Sequence, residues 1–323
     1  MVLVTGATGV IGSYLIRTLL ENQIPVRALL RENSPSLNYS SPLLEEVRGD
    51  ILAPGSLHEA FAGGVKYVVH CAALISFWQK NYEKMRLTNV IGTANIVNFC
   101  LEYGVEKLVH ISSVAALGHI SGALINEKTP WDQQTSNYYG KTKYLAELEV
   151  KRGVEEGLCA VISCPCFVIG YHGRATSSAR LFPSIFNGLK FYPPGSNGFI
   201  GAKDVALAIL LLLKSPYCRG EKFLLCSENM SYQHLFTLIA QKLGVKPPFK
   251  LLPKSIIYAA AYLGEIFSYI SLKEPLLTVE TARTLTSDRA YDATLFRKTF
   301  SFSFQPIEEV VTETAQLFFQ YCS

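Results

Sequence analysis

The chain has 323 residues, enough for one large α/β domain or for a domain with a smaller lobe. Hydrophobic residues make up 49% and charged residues 17%, which supports a substantial core and argues against disorder. The 30 basic and 26 acidic residues leave a formal charge of +4 with no basic run, which sets aside nucleic acid as a partner.

In chain order, residues 2–5 (VLVT) form an apolar run ending in glycines, as a buried parallel strand does. Residues 10–22 carry helical periodicity, and 26–30 read as a second strand. A third strand precedes Gly49-Asp50-Ile51, and further strands are expected at 67–70, 107–111 and 159–162. Helices are expected between them at 83–103 and 138–156. Strands separated by helices predict a Rossmann-type, doubly wound parallel sheet over residues 1–170. Beyond it, 172–200 is rich in Gly, Ser and Pro and reads as a long functional loop. Asp204 is expected to cap a helix over 204–213, followed by a strand at 221–226. Helices at 231–243, 254–270 and 306–320 complete a small, mostly helical lobe (171–323), expected to pack on the first domain as a substrate lobe.

Eight cysteines, at 71, 100, 159, 164, 166, 218, 226 and 322, form no Cys-x-x-Cys pair and no His/Cys cluster at metal spacing, so no metal is expected. The close pair Cys164 and Cys166 reads as buried free thiols. The set therefore predicts reduced cysteines and a cytoplasmic protein. Met1 already stands at the first strand, so no leader is expected. The apolar stretch 256–270 is shorter than the ~20 residues a bilayer requires and contains Glu265. It predicts a packed helix without stable membrane insertion, peripheral membrane contact being the lesser alternative.

The segment Thr5-Gly6-Ala7-Thr8-Gly9-Val10-Ile11-Gly12 joins the first strand to the first helix. Gly6 allows a tight turn, Gly9 lets a pyrophosphate approach the backbone, and Gly12 allows close helix packing. The helix N-terminus offers free N–H groups to phosphates. This position gives the glycines their meaning, since a bare triplet is weak evidence. The residue that would accept the ribose hydroxyls, near the end of the second strand, falls at Leu30-Arg31-Glu32. Leu30 cannot accept those bonds, whereas Arg31 can pair with a 2′-phosphate, favouring NADP(H) over NAD(H); Glu32 works against it. Asp50, with Ile51, is placed to meet the adenine edge.

Tyr139 and Lys143 share a helix face at i and i+4. A free phenol titrates near 10, and an adjacent ammonium is expected to favour the phenolate, letting Tyr139 exchange a proton with a substrate oxygen. Tyr138 has only Thr142 four positions on. Ser112 and Ser113 end the preceding strand at the ligand-binding edge of an open sheet. Ser113 is the candidate for holding the substrate oxygen; Ser112 is expected to serve the backbone or the cofactor.

These residues together resemble the extended short-chain dehydrogenase/reductase family of the NAD-dependent epimerase/dehydratase superfamily. The resemblance rests on the glycine loop, Gly49-Asp50, His70-Cys71-Ala72-Ala73, Asn89-Val90 with Gly92, Ser112-Ser113, the Tyr139/Lys143 pair and Pro165 to Gly170 with Val168. It implies a Ser113/Tyr139/Lys143 triad and a cofactor lying on the strand ends. Ala72 and Ala73 would line the cofactor path, the backbone after Pro165 would hold the carboxamide, and Asn89 would support the active-site helix or serve structure alone. Residues 188–193, 204–206 and 291–292 resemble the dihydroflavonol-4-reductase-like and 3β-hydroxysteroid-dehydrogenase-like branch. Homodimerisation through the helices carrying Asn89 and Tyr139 is what such families imply.

Two departures narrow the chemistry. Sugar-nucleotide dehydratases of this family carry an acidic pair where Val114 and Ala115 stand, and epimerases carry an Arg where Cys164 stands. Both favour reduction of a small ketone or aldehyde, or oxidation of its alcohol, in an apolar pocket drawn from Phe77, Trp78, Tyr171, Phe186, Phe191 and Tyr192. A nucleotide-sugar epimerase and a non-catalytic NADP sensor are the alternatives.

Overall fold

The computed structural model describes residues 1–119, 122–173, 177–271, 274–275 and 277–322. Short runs of Val, Leu and Ile with both faces buried form the middle of the sheet, because parallel strands must be covered on each side. The strands are β1 (Val2–Thr5), β2 (Val26–Leu30), β3 (Leu44–Arg48), β4 (Tyr67–His70), β5 (Lys107–Ile111), β6 (Ala160–Pro165) and β7 (Arg219–Leu225). They lie parallel in the order β7-β6-β5-β4-β1-β2-β3. The strand order reverses between β1 and β4, the place where open α/β sheets bind ligands.

Helices α1 (Val10–Glu21), α2 (Gly92–Glu102), α3 (Tyr138–Glu155) and α4 (Ala202–Lys214) cover the two faces. Leu15, Ile16 and Leu19 of α1 pack with Val205, Ile209 and Leu212 of α4 in one core; Ile96, Val97 and Val150 of α2 and α3 belong to the other. The second half of the chain thus contributes both β7 and the covering helix α4 to the nucleotide-binding sheet.

Beyond the sheet, Phe167–Ile169, Ser196–Gly201 and Glu228–Ser231 form a small three-stranded sheet. It packs with Tyr232–Lys242 and the C-terminal helix Ile307–Cys322 around Phe182, Phe199, Leu235 and Phe318. Helices α5 (Lys254–Ser271) and α6 (Val279–Thr286) pair through Ile257, Ala261 and Ala282.

Four expectations change. The single helix expected over 83–103 is divided into Tyr82–Arg86, a π-helical turn Leu87–Ile91, and α2. Such wide turns recur at functional sites, and this one carries Asn89. The long loop expected over 172–200 contains a helix, Leu181–Phe186, and two strands, Phe191–Tyr192 and Ser196–Gly201, while Arg174, Ala175 and Thr176 lie outside the described residues. Asp204 does not cap α4, which starts after Gly201; its buried carboxylate accepts from Gln305 N at 2.7 Å, tying the segment before the last helix to α4. Finally, Cys159 and Cys218 are disulfide-bonded, not free thiols. The two precede neighbouring strands β6 and β7, where Ala160 N donates to Cys218 O, so the sheet brings together residues 59 apart in sequence. Cysteine usage therefore supplies no argument for a reducing compartment.

Candidate active site

The C-terminal ends of β1, β4, β5 and β6 open onto one edge and present Gly6, Ala72, Ser113 and Cys166 there. Gly6 holds φ +67, and a Cβ on it would come 2.6 Å from Ala72 N; a Cβ on Gly12 would strike Gly6 O. The turn is drawn in so tightly that only glycine fits, which leaves its rim open. Gly9 caps α1 without a side-chain hydrogen bond, so the first N–H groups beside Thr8, Val10 and Ile11 remain directed outward for an anion. A dinucleotide pyrophosphate fits this cradle.

At the ends of β2 and β3, Arg31, Arg48, Asp50 and Ser56 line one hollow with Glu32. Arg48 was not singled out by sequence. It lies beside Leu30 in the β2–β3 register and donates to Arg31 O at 3.0 Å and Ser34 O at 2.6 Å, which shapes the loop bearing the exposed Arg31. Asp50 accepts from Leu52 N at 2.9 Å, and Ile51 is buried against Gly92.

Ser113 and Tyr139 meet: burial lifts the Tyr139 phenol to about 12, against the opposing pull of its hydrogen bond with Ser113. Ser113 Oγ also accepts from Ala115 N at 3.1 Å, which orients it. Lys143 Nζ instead donates to Ile111 O at 2.6 Å, and burial lowers its ammonium to about 8 against the opposing charge of Glu147. The phenol is thus held above its ordinary value, the reverse of the direction expected from the i, i+4 spacing. Burial outweighs the Ser113 hydrogen bond, and the Lys143 ammonium is engaged by the strand carbonyl Ile111 O.

A chain of hydrogen bonds positions this helix. Thr93 Oγ1 donates to Asn89 O (2.6 Å), so it accepts from His70 Nε2 (3.1 Å), and His70 Nδ1 in turn accepts from Thr5 Oγ1 (2.7 Å). Thr5 Oγ1 accepts from Ala72 N at 3.2 Å. Asn89 donates to Leu74 O and Thr142 Oγ1, both at 2.9 Å, and Thr142 Oγ1 donates to Tyr139 O at 2.8 Å. Asn89 also accepts from Leu74 N at 2.7 Å. The asparagine buttresses both the 72–78 loop and α3, with its carbonyl and amide turned to protein partners.

The imidazoles on this side are neutral. Burial, and secondarily the Lys143 charge, lowers His70 to about 3 and His110 well below its ordinary value. Neither ring nitrogen of His110 has a hydrogen-bond partner among the described residues. The unfolded chain therefore binds more protons below about pH 6.5, and stability falls with pH through that window, until about pH 3 for His70. Each histidine is expected to contribute a slope of about 1.4 kcal/mol per pH unit there. Urea midpoints at neutral and mildly acid pH measure it; midpoints independent of pH would contradict the assignment.

Sequence reasoning also missed a buried carboxylate. Ser112, expected to serve backbone or cofactor, donates its hydroxyl to Glu147, which is itself ion-paired with Lys222 on β7. Glu147 is 0% exposed and Lys143 2% exposed, with Cys164 Sγ 3.7 Å from Glu147. Glu147 thus pairs directly with Lys222 and acts on the Lys143 ammonium through its charge.

The lobe reaches the site through acidic side chains. Glu280 of α6 accepts from Tyr138 N at 2.9 Å and is raised to about 7 by burial; Glu274 accepts from Ser76 Oγ at 2.6 Å. The expected aromatic pocket is only partly assembled. Phe77 meets Tyr139 edge-on at 6.2 Å, but Tyr171 and Phe186 pack on Phe318 in the lobe core, and Phe191 is exposed. Pro165 ends β6, and Val168 pairs with Ile200, which places both at the rim. Ala73 is exposed on the loop after β4.

Fold and cleft together define a Rossmann-type dinucleotide-binding oxidoreductase. The chain belongs to the NAD dependent epimerase/dehydratase family, whose profile matches residues 2–224. It is 30% identical to a putative dihydroflavonol 4-reductase of Synechocystis sp. over 90% of this chain and 86% of that one. It is 27% identical to sterol demethylase protein B of Methylococcus capsulatus, covering 92% and 91%. The crystal structure of gox2253 superposes with a TM-score of 0.85 at 32% identity, covering 99% and 98%. A UDP-glucose 4-epimerase of Thermotoga maritima shares the fold, with a TM-score of 0.82 at 19% identity. The chain is thus an NAD(P)-dependent enzyme of short-chain dehydrogenase/reductase type. Among the described residues no group of three or more His, Cys, Asp or Glu side chains gathers for a metal.

Proposed function

We propose that the chain is an NADP(H)-dependent reductase of a small, largely apolar ketone or aldehyde, with Tyr139 as proton donor. The observation that carries this reading is the Tyr139 hydroxyl, hydrogen-bonded to Ser113 and kept protonated by burial. Reduction of a carbonyl delivers a proton to the developing alkoxide, and a neutral phenol carries that proton across the working pH range. Ser113 holds the carbonyl oxygen, and the Lys143 ammonium steadies the negative charge left on Tyr139. When bound, the reduced nicotinamide supplies the hydride. Gly6, Thr8, Gly9, Val10, Ile11 and Gly12 hold the pyrophosphate, Ala72, Ala73, Pro165 and Val168 flank the nicotinamide end, and Asp50 and Ile51 the adenine. Residues 1–170 carry the cofactor in this reading, with β7 and α4 completing their sheet, and the remainder of residues 171–323 reaches the substrate side through Glu274 and Glu280. Curated relatives named as cinnamoyl-CoA reductase and 2-alkyl-3-oxoalkanoate reductase support carbonyl reduction.

The phosphorylated cofactor is supported by two arginines, Arg31 and Arg48, in the hollow at the ends of β2 and β3. Arg31→Ala is expected to weaken NADPH binding ~10-fold or more while leaving NADH binding nearly unchanged, as loss of one charge-assisted phosphate contact requires. Fluorescence titration of both nucleotides measures this; equal losses for both would point to a general loop role.

A further inference from the structure

The helix expected to be packed is packed on one side only. Ile257, Ala261 and Ser268 of α5 are buried, whereas Ile256, Tyr262, Leu263, Ile266 and Phe267 are 52–67% exposed. Positions 256, 263 and 267 fall on one line of the helix, with 262 and 266 beside it, so the exposed side chains make one apolar face. Phe249 and Leu251, just before the helix in sequence, are also exposed, at 66% and 52%. An apolar surface of this extent marks an interaction site, since isolated exposed side chains do not line up along an element. α5 is not a span: no helix among the described residues is long and apolar enough to cross a membrane.

The charge beside this face narrows the partner. From residue 243 to residue 264 the chain has three lysines, Lys246, Lys250 and Lys254, all exposed, and no Asp or Glu. The first acid, Glu265, turns inward and accepts from Val279 N at 2.9 Å. An apolar helical face with aromatic residues and flanking cations suits the boundary between acyl chains and anionic headgroups. We propose that α5 docks flat on an anionic bilayer surface, its apolar face entering the interface and Lys246, Lys250 and Lys254 lying over the headgroups. The docked pair α5/α6 is the one whose Glu280 holds Tyr138 N, so docking sets the membrane-bound helices beside the helix that carries Tyr139. On the reductase reading, an apolar carbonyl compound would enter directly from the lipid; the docking itself does not depend on that reading.

Flotation of the full chain with phosphatidylcholine vesicles, with and without phosphatidylglycerol, tests this. The chain is expected to float with the anionic vesicles and to bind at least ~10-fold more weakly to phosphatidylcholine alone, or in ~1 M salt, which collapses the screening length. Leu263→Glu combined with Phe267→Glu is expected to lower binding ~100-fold, as loss of two inserted side chains requires. Lys250→Gln with Lys254→Gln should lower it ~10-fold on anionic vesicles only. Both pairs are solvent-exposed and lie outside the cofactor cleft. Should the glutamate variant fail to fold, the glutamine variant decides alone, and undiminished binding by it overturns the proposal. Absence of flotation also overturns it. So does a dimer in sedimentation that the glutamate variant dissociates, which would give the face to a second copy of the chain. Turnover retained in Tyr139→Phe with flotation intact would overturn the reductase reading and leave the docking standing.

Discussion

Tyr139→Phe is expected to lower kcat for carbonyl reduction ~1,000-fold or more, while the Kd for NADPH changes less than about threefold. The ring is 9% exposed and packs edge-on to Phe77, so phenylalanine fills the same space and only the proton and its hydrogen bond with Ser113 are lost. In the proposed reading nucleotide affinity resides in the glycine turn and the arginine hollow, which the substitution leaves untouched. Ser113→Ala should lower kcat less, because it removes one orienting bond and leaves the proton in place. Steady-state kinetics with stopped-flow nucleotide binding separates the two effects. Turnover retained in Tyr139→Phe would remove the phenol from the chemistry.

The second large effect concerns the carboxylate under the cleft. Glu147 is the largest influence opposing the burial of Lys143, and it is shared with Lys222. Glu147→Gln removes the negative charge, so the Lys143 ammonium, already lowered to about 8, should lose its proton at still lower pH. Lys222→Met removes the competing cation and leaves Glu147 to Lys143 alone, so that proton should be held to higher pH. If the ammonium form of Lys143 is the active one, turnover declines above about pH 8. That limb should move about one unit down in Glu147→Gln and about one unit up in Lys222→Met. Opposite shifts are the signature of an electrostatic role. A role confined to packing would destabilise both variants and leave the limb where it was. Nitrogen chemical shifts of the Lys143 ammonium, titrated without substrate, report the same quantity independently of turnover.

Much of this site was legible before the structure because its signals are local. An apolar run ending in glycines marks a strand and a phosphate turn, and an i, i+4 spacing marks a helix face; β1, α1, β2, β4, β5 and α3 follow from such patterns nearly to the residue. What escaped depends on strands that meet only in the folded sheet. Glu147 and Lys222 come together because β7 lies at the sheet edge beside β6, and Cys159 meets Cys218 for the same reason. Nothing in the spacing of either pair announces it. The direction of the Tyr139 shift also escaped, because spacing reports which groups are near and not how deeply each is buried. Ile256 to Phe267 failed differently: an apolar stretch of that length reads as core, and only the packing of α6 along one side shows that its other side faces outward.

The most direct test of the central claim is a panel of apolar ketones and aldehydes, incubated with the full chain and either NADPH or NADH, with loss of reduced nicotinamide and appearance of alcohol both followed. The account predicts equal amounts of nicotinamide oxidised and alcohol formed, faster with NADPH, and abolished in Tyr139→Phe. Interconversion of nucleotide sugars with no net change in the nicotinamide, or nucleotide binding with no turnover on any carbonyl, would contradict it.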